Sequence, residues 1–406
     1  MRSKLWLMGV VVLLVISYPL SSRQFIAHSA WQGEPIRFSG KITDQTTIIK
    51  GTASPNTTIR AETKAGLLNS TKADGTGNFI LSIPKQTSNT ILKITDDHKR
   101  LVNVKISATG WIKEGENWYF LNGNGEKQTG WIQYQSKRYF LNQNGVMEKG
   151  WIHDARHWYF LDSTGAMQTD WVEVNGKRYD LNSNGVMLTG WVQNSKGKFL
   201  LGPDGAVSSA ILDVPIVSQL PELPRGCEIT SLTMLLKSAG IEVDKMTLSS
   251  QIERDPTPYS RVNGQINYGN PNKGFVGDMY NINNLGYGVY HGPIAKLANR
   301  YMPNRIIDFT GSKFETMFQY LNKGKPVWVI INTLFDTTPS QYWVTWNTPE
   351  GRISINGKEH SVLVTGYDSR YIYFNDPLSG IKNDKAPLHS FKSGWEQMGS
   401  QAISYR

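Results

Sequence analysis

Five tryptophans stand at one fixed interval: Trp111, Trp131, Trp151, Trp171 and Trp191 are 20 residues apart. Tyr119, Tyr139, Tyr159 and Tyr179 keep step with them, and Phe199 replaces tyrosine in the fifth unit. Gly125, Gly145, Gly165, Gly185 and Gly205 recur in phase, as do Met147, Met167 and Met187. A period of this length specifies stacked supersecondary units, because one unit cannot bury a hydrophobic face alone. Inside each unit a stretch such as "WYFLNGNG" or "RYFLNQNG" reads as a strand entering an Asn-Gly turn, the signal of a β-hairpin. Residues 110–209 are therefore expected to form a solenoid of β-hairpins with shared aromatic faces, which accounts for much of the total of 13 tryptophans.

The units "GWIKEGENWYFLNGNGEKQTGWIQYQSKRYFLNQNGVMEKGW" resemble the cell-wall-binding repeats of choline-binding proteins, clostridial toxins and glucan-binding enzymes. In choline-binding members, aromatic cages between successive units hold the quaternary ammonium, whose charge suits electronegative ring faces. The resemblance implies ligand contacts at Trp111, Trp118, Tyr119, Trp131, Tyr139, Trp151, Trp158, Tyr159, Trp171, Tyr179 and Trp191. One position departs from that pattern. The residue before the repeat aromatic alternates: Trp118, Arg138, Trp158, Arg178, then Lys198. An arginine in a cage wall opposes a choline cation. Arg138 and Arg178 point instead to phosphate or carboxylate groups of an anionic wall polymer or glycan. Choline is the alternative ligand at the units that keep tryptophan. A purely structural role for the rings is the other alternative.

The chain has 406 residues, enough for two to four domains. Residues 1–30 begin with Arg2 and Lys4, followed by the apolar run Leu5 to Leu20, which is short for a membrane span. They read as an export signal peptide, with an uncleaved membrane anchor as the alternative. Export changes the meaning of the net charge of +10. An exported basic protein meets an anionic surface, and no nucleic-acid module motif accompanies the charge. Residues 31–108 alternate in short runs ("TTIIKGTA", "NFILSIP", "TILKIT") separated by turn signals, the pattern of a small β-sandwich. That stretch resembles bacterial Ig-like domains of surface proteins and carries no catalytic constellation. It is expected to be a spacer.

Residues 211–406 change to a mixed helix and strand texture and contain Cys227, the only cysteine. A single cysteine excludes an intramolecular disulfide and a cysteine-rich zinc site. "LDVPIVSQL" reads as a strand ending near Gln219, and "PELPRG" as a bend. "CEITSLTMLLKSAG" places Ile229, Leu232, Leu235 and Leu236 at helical spacing, with Gly240 as the stop. Cys227 then sits in the first helical turn, where the partial positive charge favours a thiolate and free N–H groups can stabilise an oxyanion.

A thiol nucleophile needs an imidazole base. His360 opens the strand-like "HSVLVTGYD", and "YIYFNDP" after it ends at Asp376. A hairpin centred on Asp368 would set His360 directly opposite Asp376, whereas a slip of one would offer Asn375. His291, at a helix start, and His389, in a loop-like stretch, are expected to be ordinary surface or capping residues. The Gly- and Asn-rich "SRVNGQINYGNPNKGFVGDMYN" reads as irregular chain bordering a cleft that Trp343 and Trp346 either line or leave for the sheet.

Together "VPIVSQLPELPRGCEITSLTMLLKSAG", "LNKGKPVWVIIN", "HSVLVTGYD" and "YFNDP" resemble the papain-like cysteine peptidases, closest to the bacterial branch related to double-glycine (bacteriocin-processing) leader peptidases. The resemblance implies an α+β papain-like domain in which Gln219 is an oxyanion donor, Cys227 the nucleophile, His360 the base and Asp376 its orienting group. It implies hydrolysis of peptide or protein substrates without metal or cofactor, at the cell surface or wall. Two further readings are a non-catalytic wall-binding adhesin, and a papain-like amidase or acyltransferase acting on wall peptides.

Overall fold

A computed structural model describes residues 33–406. The expected export segment, residues 1–30, lies outside the described residues. The chain forms two compact units: residues 33–129 with 143–146, and residues 130–142 with 147–406.

In the first unit, two antiparallel sheets enclose one hydrophobic cluster. One sheet joins Arg37–Phe38, Ile48–Thr52 and Asn78–Ser82; the other joins Gly66–Lys72, Thr58–Thr63, Ile91–Thr95 and Leu101–Lys105. Strict alternation in the sequence decides which side chains turn inward. Ile49, Ile59, Phe79, Leu81, Leu92 and Ile94 are buried, while their neighbours Ile48, Ile80 and Ile91 face solvent. The unit also contains the first repeat hairpin, Gly110–Glu114 with Asn117–Leu121.

The second unit carries the other repeats. Their hairpins are Gly130–Tyr134 with Lys137–Leu141, Gly150–Asp154 with His157–Leu161, and Asp170–Val174 with Lys177–Leu181. The tight turn is not at the Asn-Gly pairs. It is formed by the two residues directly after each first strand, Gln135-Ser136, Ala155-Arg156 and Asn175-Gly176, all with positive φ. Two positive φ values match the right-handed twist of the paired strands. The Asn-Gly stretch follows the second strand and turns the chain toward the next unit, as where the Gly185 N–H donates to Asn182 O at 2.8 Å. The glycine of that turn is required on two counts. Gly165, Gly185 and Gly205 have φ of +84°, +81° and +76°. A Cβ there would fall 2.5, 2.5 and 2.2 Å from the sulfur of Met147, Met167 and Met187 in the preceding unit. The in-phase glycines and methionines are thus one packing contact, repeated.

The fifth repeat does not stop at the solenoid. Its strands β1 (Gly190–Asn194) and β2 (Gly197–Leu201) continue through β3 (Val207–Leu212) into a nine-stranded sheet. The others are β4 (Ile306–Asp308), β5 (Val327–Asn332), β6 (Glu359–Tyr367), β7 (Tyr371–Asp376), β8 (Ile381–Pro387) and β9 (Ala402–Tyr405). The order is β1-β2-β3-β6-β5-β9-β4, with β7 between β6 and β8. The strand expected to end near Gln219 ends at Leu212, because Ala210 and Ile211 are already paired with Tyr367 and Gly366 of β6. Phe199 of the fifth repeat is fully buried in the same cluster as Trp328, Phe374 and Trp395.

Helix α1 (Cys227–Ser238) packs on β6 and β5 and is followed by Gly240 with φ +81°. Its residues 227–236 are all buried, so it is a central helix rather than an amphipathic surface one. The buried hydroxyls of Thr230 and Thr233 bond to carbonyls four residues back, and that of Ser231 to Ser361 O. The stretch expected to be irregular contains strands Ser260–Val262 and Gln265–Asn267, which pair into a four-stranded sheet with Trp343–Thr348 and Gly351–Asn356. His389 lies in helix Leu388–Gln397 rather than in a loop.

Candidate functional site

Cys227 is the first residue of α1, after Gly226, which supplies no side-chain cap. A side chain at position 226 is excluded: its Cβ would fall 2.6 Å from Cβ of Leu223. His360 lies near the start of β6 and Asp376 at the end of β7, and His360 Nε2 is 2.8 Å from Asp376 Oδ1. Both are buried. The register differs from the expected one. Leu363 pairs with Asn375 and Val364 with Phe374, and a bulge follows before Gly366. Asp376 is therefore offset by two residues from the position opposite His360, which keeps both side chains on one face. Asn375 faces away: its amide donates to the carbonyls of Val214 and Pro215 at 3.1 and 3.2 Å.

Burial raises the Asp376 carboxyl, but the bond to His360 and donors from Leu378 and Ser379 outweigh it, and the group sits below the usual carboxylate range. It is therefore an anion that fixes the Nε2 proton and leaves Nδ1 as the basic nitrogen. Gln219 is tied to the same corner. Its N–H donates to Pro377 O at 2.8 Å, and its Nε2 to Pro224 O at 3.0 Å. One amide hydrogen of Gln219 remains for another acceptor. Gln219, Cys227 and His360 line one cavity of about 210 Å³, together with Tyr287, Thr333 and Glu359.

Two carboxyls beside the thiol were not anticipated. Glu228 Oε2 accepts from Cys227 Sγ at 3.3 Å, and Glu228 Oε1 accepts the Val289 N–H at 2.7 Å. One oxygen each of Glu228 and Glu359 lies within 4.8 Å of the sulfur and of the other. Burial pushes Glu228 up to about 7, and burial followed by the charge of Glu228 pushes Glu359 well above its usual value. Burial, then Glu228 and Glu359, pushes the Cys227 thiol well up, with the Ser361 N–H acting the other way. The helix terminus alone implied a thiolate; burial, reinforced by the two carboxyls, reverses that. The signal in the sequence is that Cys227 is followed, and His360 preceded, by glutamate.

Trp346 and Trp343 stay out of this cavity. Trp346 is buried on Tyr268 and Tyr287 and donates to Gly269 O at 3.1 Å; Trp343 donates to Thr338 Oγ1 at 3.1 Å. His291 begins helix His291–Tyr301 and pairs with Asp308 at 2.5 Å, apart from Cys227.

In the repeats, tryptophan meets the aromatic ring of the following unit: Trp131 with Tyr159 at 4.9 Å, Trp151 with Tyr179 at 4.8 Å and Trp171 with Phe199 at 5.1 Å. Trp131 also donates to Asp154 Oδ2 at 2.9 Å. Arg138 lies over Trp131 at 4.5 Å and Arg178 over Trp171 at 4.1 Å. These two ring faces are thus covered by the chain's own cations. The equivalent residue at the Trp151 junction is Trp158, which meets the His153 ring at a tilt, 5.1 Å between centroids, and is 45% exposed. In the first unit Trp111 packs edgewise on Phe120 at 5.2 Å, Lys127 lies over Tyr119 at 3.5 Å, and Trp118 is exposed. Tyr139 bridges to Ala166. Trp191 is exposed beside Lys198.

A cysteine at a helix N-terminus shares a cavity with His360, which is bonded to Asp376, on an α+β sheet joined to stacked hairpins; this defines a modular protein of a repeat array and an α+β domain with a cysteine–histidine cavity. The chain belongs to the Peptidase_C39 like family, whose model matches residues 211–403. Residues 109–127, 129–147, 149–167 and 169–187 each match the "Putative cell wall binding repeat". The chain is 48% identical over 198 residues to "Uncharacterized protein YvpB" of Bacillus subtilis, covering 48% of this chain and 76% of that one. A solved "putative C39-like peptidase" from Bacillus anthracis is 45% identical, covering 49% of this chain and 97% of that chain, with a TM-score of 0.46. The choline binding domain of Spr1274 in Streptococcus pneumoniae is 34% identical, covering 20% of this chain and 94% of that chain, with a TM-score of 0.18.

Proposed function

We propose that the protein is an exported, wall-associated cysteine peptidase whose repeats hold it on an anionic wall polymer or glycan. Residues 31–108 serve as an Ig-like spacer, and residues 1–30 as the export segment. The observation that carries the peptidase reading is the buried His360–Asp376 bond of 2.8 Å on the cavity that Cys227 also lines.

In this reading, the Cys227 thiol attacks a peptide carbonyl while His360 takes its proton. Because the thiol is held protonated, proton transfer accompanies attack rather than preceding it. The oxyanion is met by the Cys227 N–H and by the free amide hydrogen of Gln219. His360 then gives its proton to the leaving amine and next activates water, which releases the acyl group from sulfur. Asp376 holds the tautomer and balances the imidazolium.

The raised thiol favours a second reading, a wall-binding adhesin without turnover. One experiment separates them. Peptide hydrolysis by the full chain, lost in Cys227→Ala and His360→Ala with wall binding intact, supports the peptidase. Hydrolysis that survives Cys227→Ala refutes it, and no hydrolysis by the parent chain favours the adhesin.

A further inference from the structure

The cavity beside Cys227 is short of hydrogen-bond donors. Two buried acceptors that belong to its lining residues, Gln219 Oε1 and Glu359 Oε1, have no partner among the described residues. An unmet buried acceptor is costly, and one on a carboxyl more so. The Glu359 carboxyl also stands against that of Glu228. Both press toward Gly288, where a Cβ would fall 2.2 Å from Glu228 Oε1 and 3.0 Å from Glu359 Oε2. Two carboxyls so placed in a buried site share a proton. Glu228 accepts from both Val289 and Cys227, so it is the better anion, and Glu359 keeps the proton. The wall facing the nucleophile thus combines negative charge with unfilled acceptors.

Resting on the peptidase reading, we infer that Glu359 is a specificity residue that pairs with an ammonium group of the substrate, held next to the scissile carbonyl. An ammonium brings three N–H donors and one positive charge. It fills Glu359 Oε1 and Gln219 Oε1, and the Glu359 proton leaves to solvent as the ion pair forms. The same cation offsets the field that keeps Cys227 protonated, so a fitting substrate promotes its own attack. Arg225 also lines the cavity, but its guanidinium is committed to the carbonyls of Asn281 and Ile282 at 2.9 and 2.7 Å.

The test uses the full chain, whose single cysteine makes labelling unambiguous. Cys227 is treated with two methanethiosulfonates, one bearing an aminoethyl cation and one a sulfonatoethyl anion. In each reaction the thiolate attacks the sulfenyl sulfur, a mixed disulfide forms and methanesulfinate leaves. The ratio of the two rates cancels any change in the thiolate fraction. We expect the cation-to-anion ratio to exceed that of free cysteine by about tenfold or more. Glu359→Gln should lower it several-fold, to the smaller preference that the Glu228 carboxylate beside the sulfur still provides, with native tryptophan fluorescence retained, while Glu359→Asp keeps more of it. A parent ratio equal to that of free cysteine, or one unchanged in Glu359→Gln, overturns the inference. Failure of the parent chain to cleave any lysine- or ornithine-bearing peptide counts instead against the peptidase reading, since the labelling ratio is measured without turnover.

Discussion

His360 Nε2 lies 2.8 Å from Asp376 Oδ1, and the two residues sit diagonally across the β6–β7 hairpin rather than face to face. The bulge between Val364 and Gly366 sets the offset. Asp376→Asn leaves the shape but removes the charge and lets the imidazole take the other tautomer. It should lower kcat/KM on a cleaved peptide by about 10²–10⁴. It should also slow iodoacetamide labelling of Cys227. Full activity in Asp376→Asn would show that the pair is structural only.

The carboxyls beside the thiol predict a pH dependence of stability. The Glu228 carboxyl is raised to about 7 in the fold, against about 4.3 in an unfolded chain. Between those values the folded state binds more protons, so stability falls as pH rises through the interval. Glu359, raised further, extends the fall to higher pH. Asp376 has the opposite sign: its contribution is present above the unfolded value and lost as pH drops through the folded one. The urea midpoint should therefore be higher near pH 5 than near pH 8, and Glu228→Gln should flatten the difference. Equal midpoints at the two pH values in the parent chain would contradict the carboxyl pair.

The fifth repeat should behave as part of the family domain. Phe199 is fully buried with Trp328 and Phe374, so Phe199→Ala should cost about 3–5 kcal/mol of unfolding free energy. Trp191, eight residues earlier and 60% exposed, should change stability by less than about 0.5 kcal/mol when replaced by alanine. Denaturant titration followed by loss of Cys227 protection reads both. Equal effects would mean that β1 and β2 unfold separately from the sheet.

The helix starting at Cys227 was legible because a bend, a helical apolar spacing and a closing glycine agree locally. The repeat was legible from its period, but its turn was not. Gln135-Ser136 and Ala155-Arg156 adopt positive φ without the Asn or Gly that signals it, and the Asn-Gly pairs drew attention to the wrong bend. The His360–Asp376 partnership followed from strand alternation; its register did not, since a bulge is an added residue that alternation cannot reveal. The Glu228–Glu359 pair joins positions 131 residues apart in the sequence, and no local pattern announces that contact.

The arginines over Trp131 and Trp171 predict how the repeats choose a ligand. Arg138 already occupies, at 4.5 Å, the ring face that a quaternary ammonium would need. Arg138→Ala should uncover the Trp131–Tyr159 junction and increase choline binding, measured as quenching of tryptophan fluorescence, because a cation on an aromatic face gains about 0.5–2 kcal/mol. The same change removes a charge available to an anionic polymer, so retention on purified walls should weaken in the variant and, in the parent chain, should fall with salt. Elution of the parent chain by choline alone at low salt would reverse the assignment, making the ring faces the ligand site and the arginines mere packing.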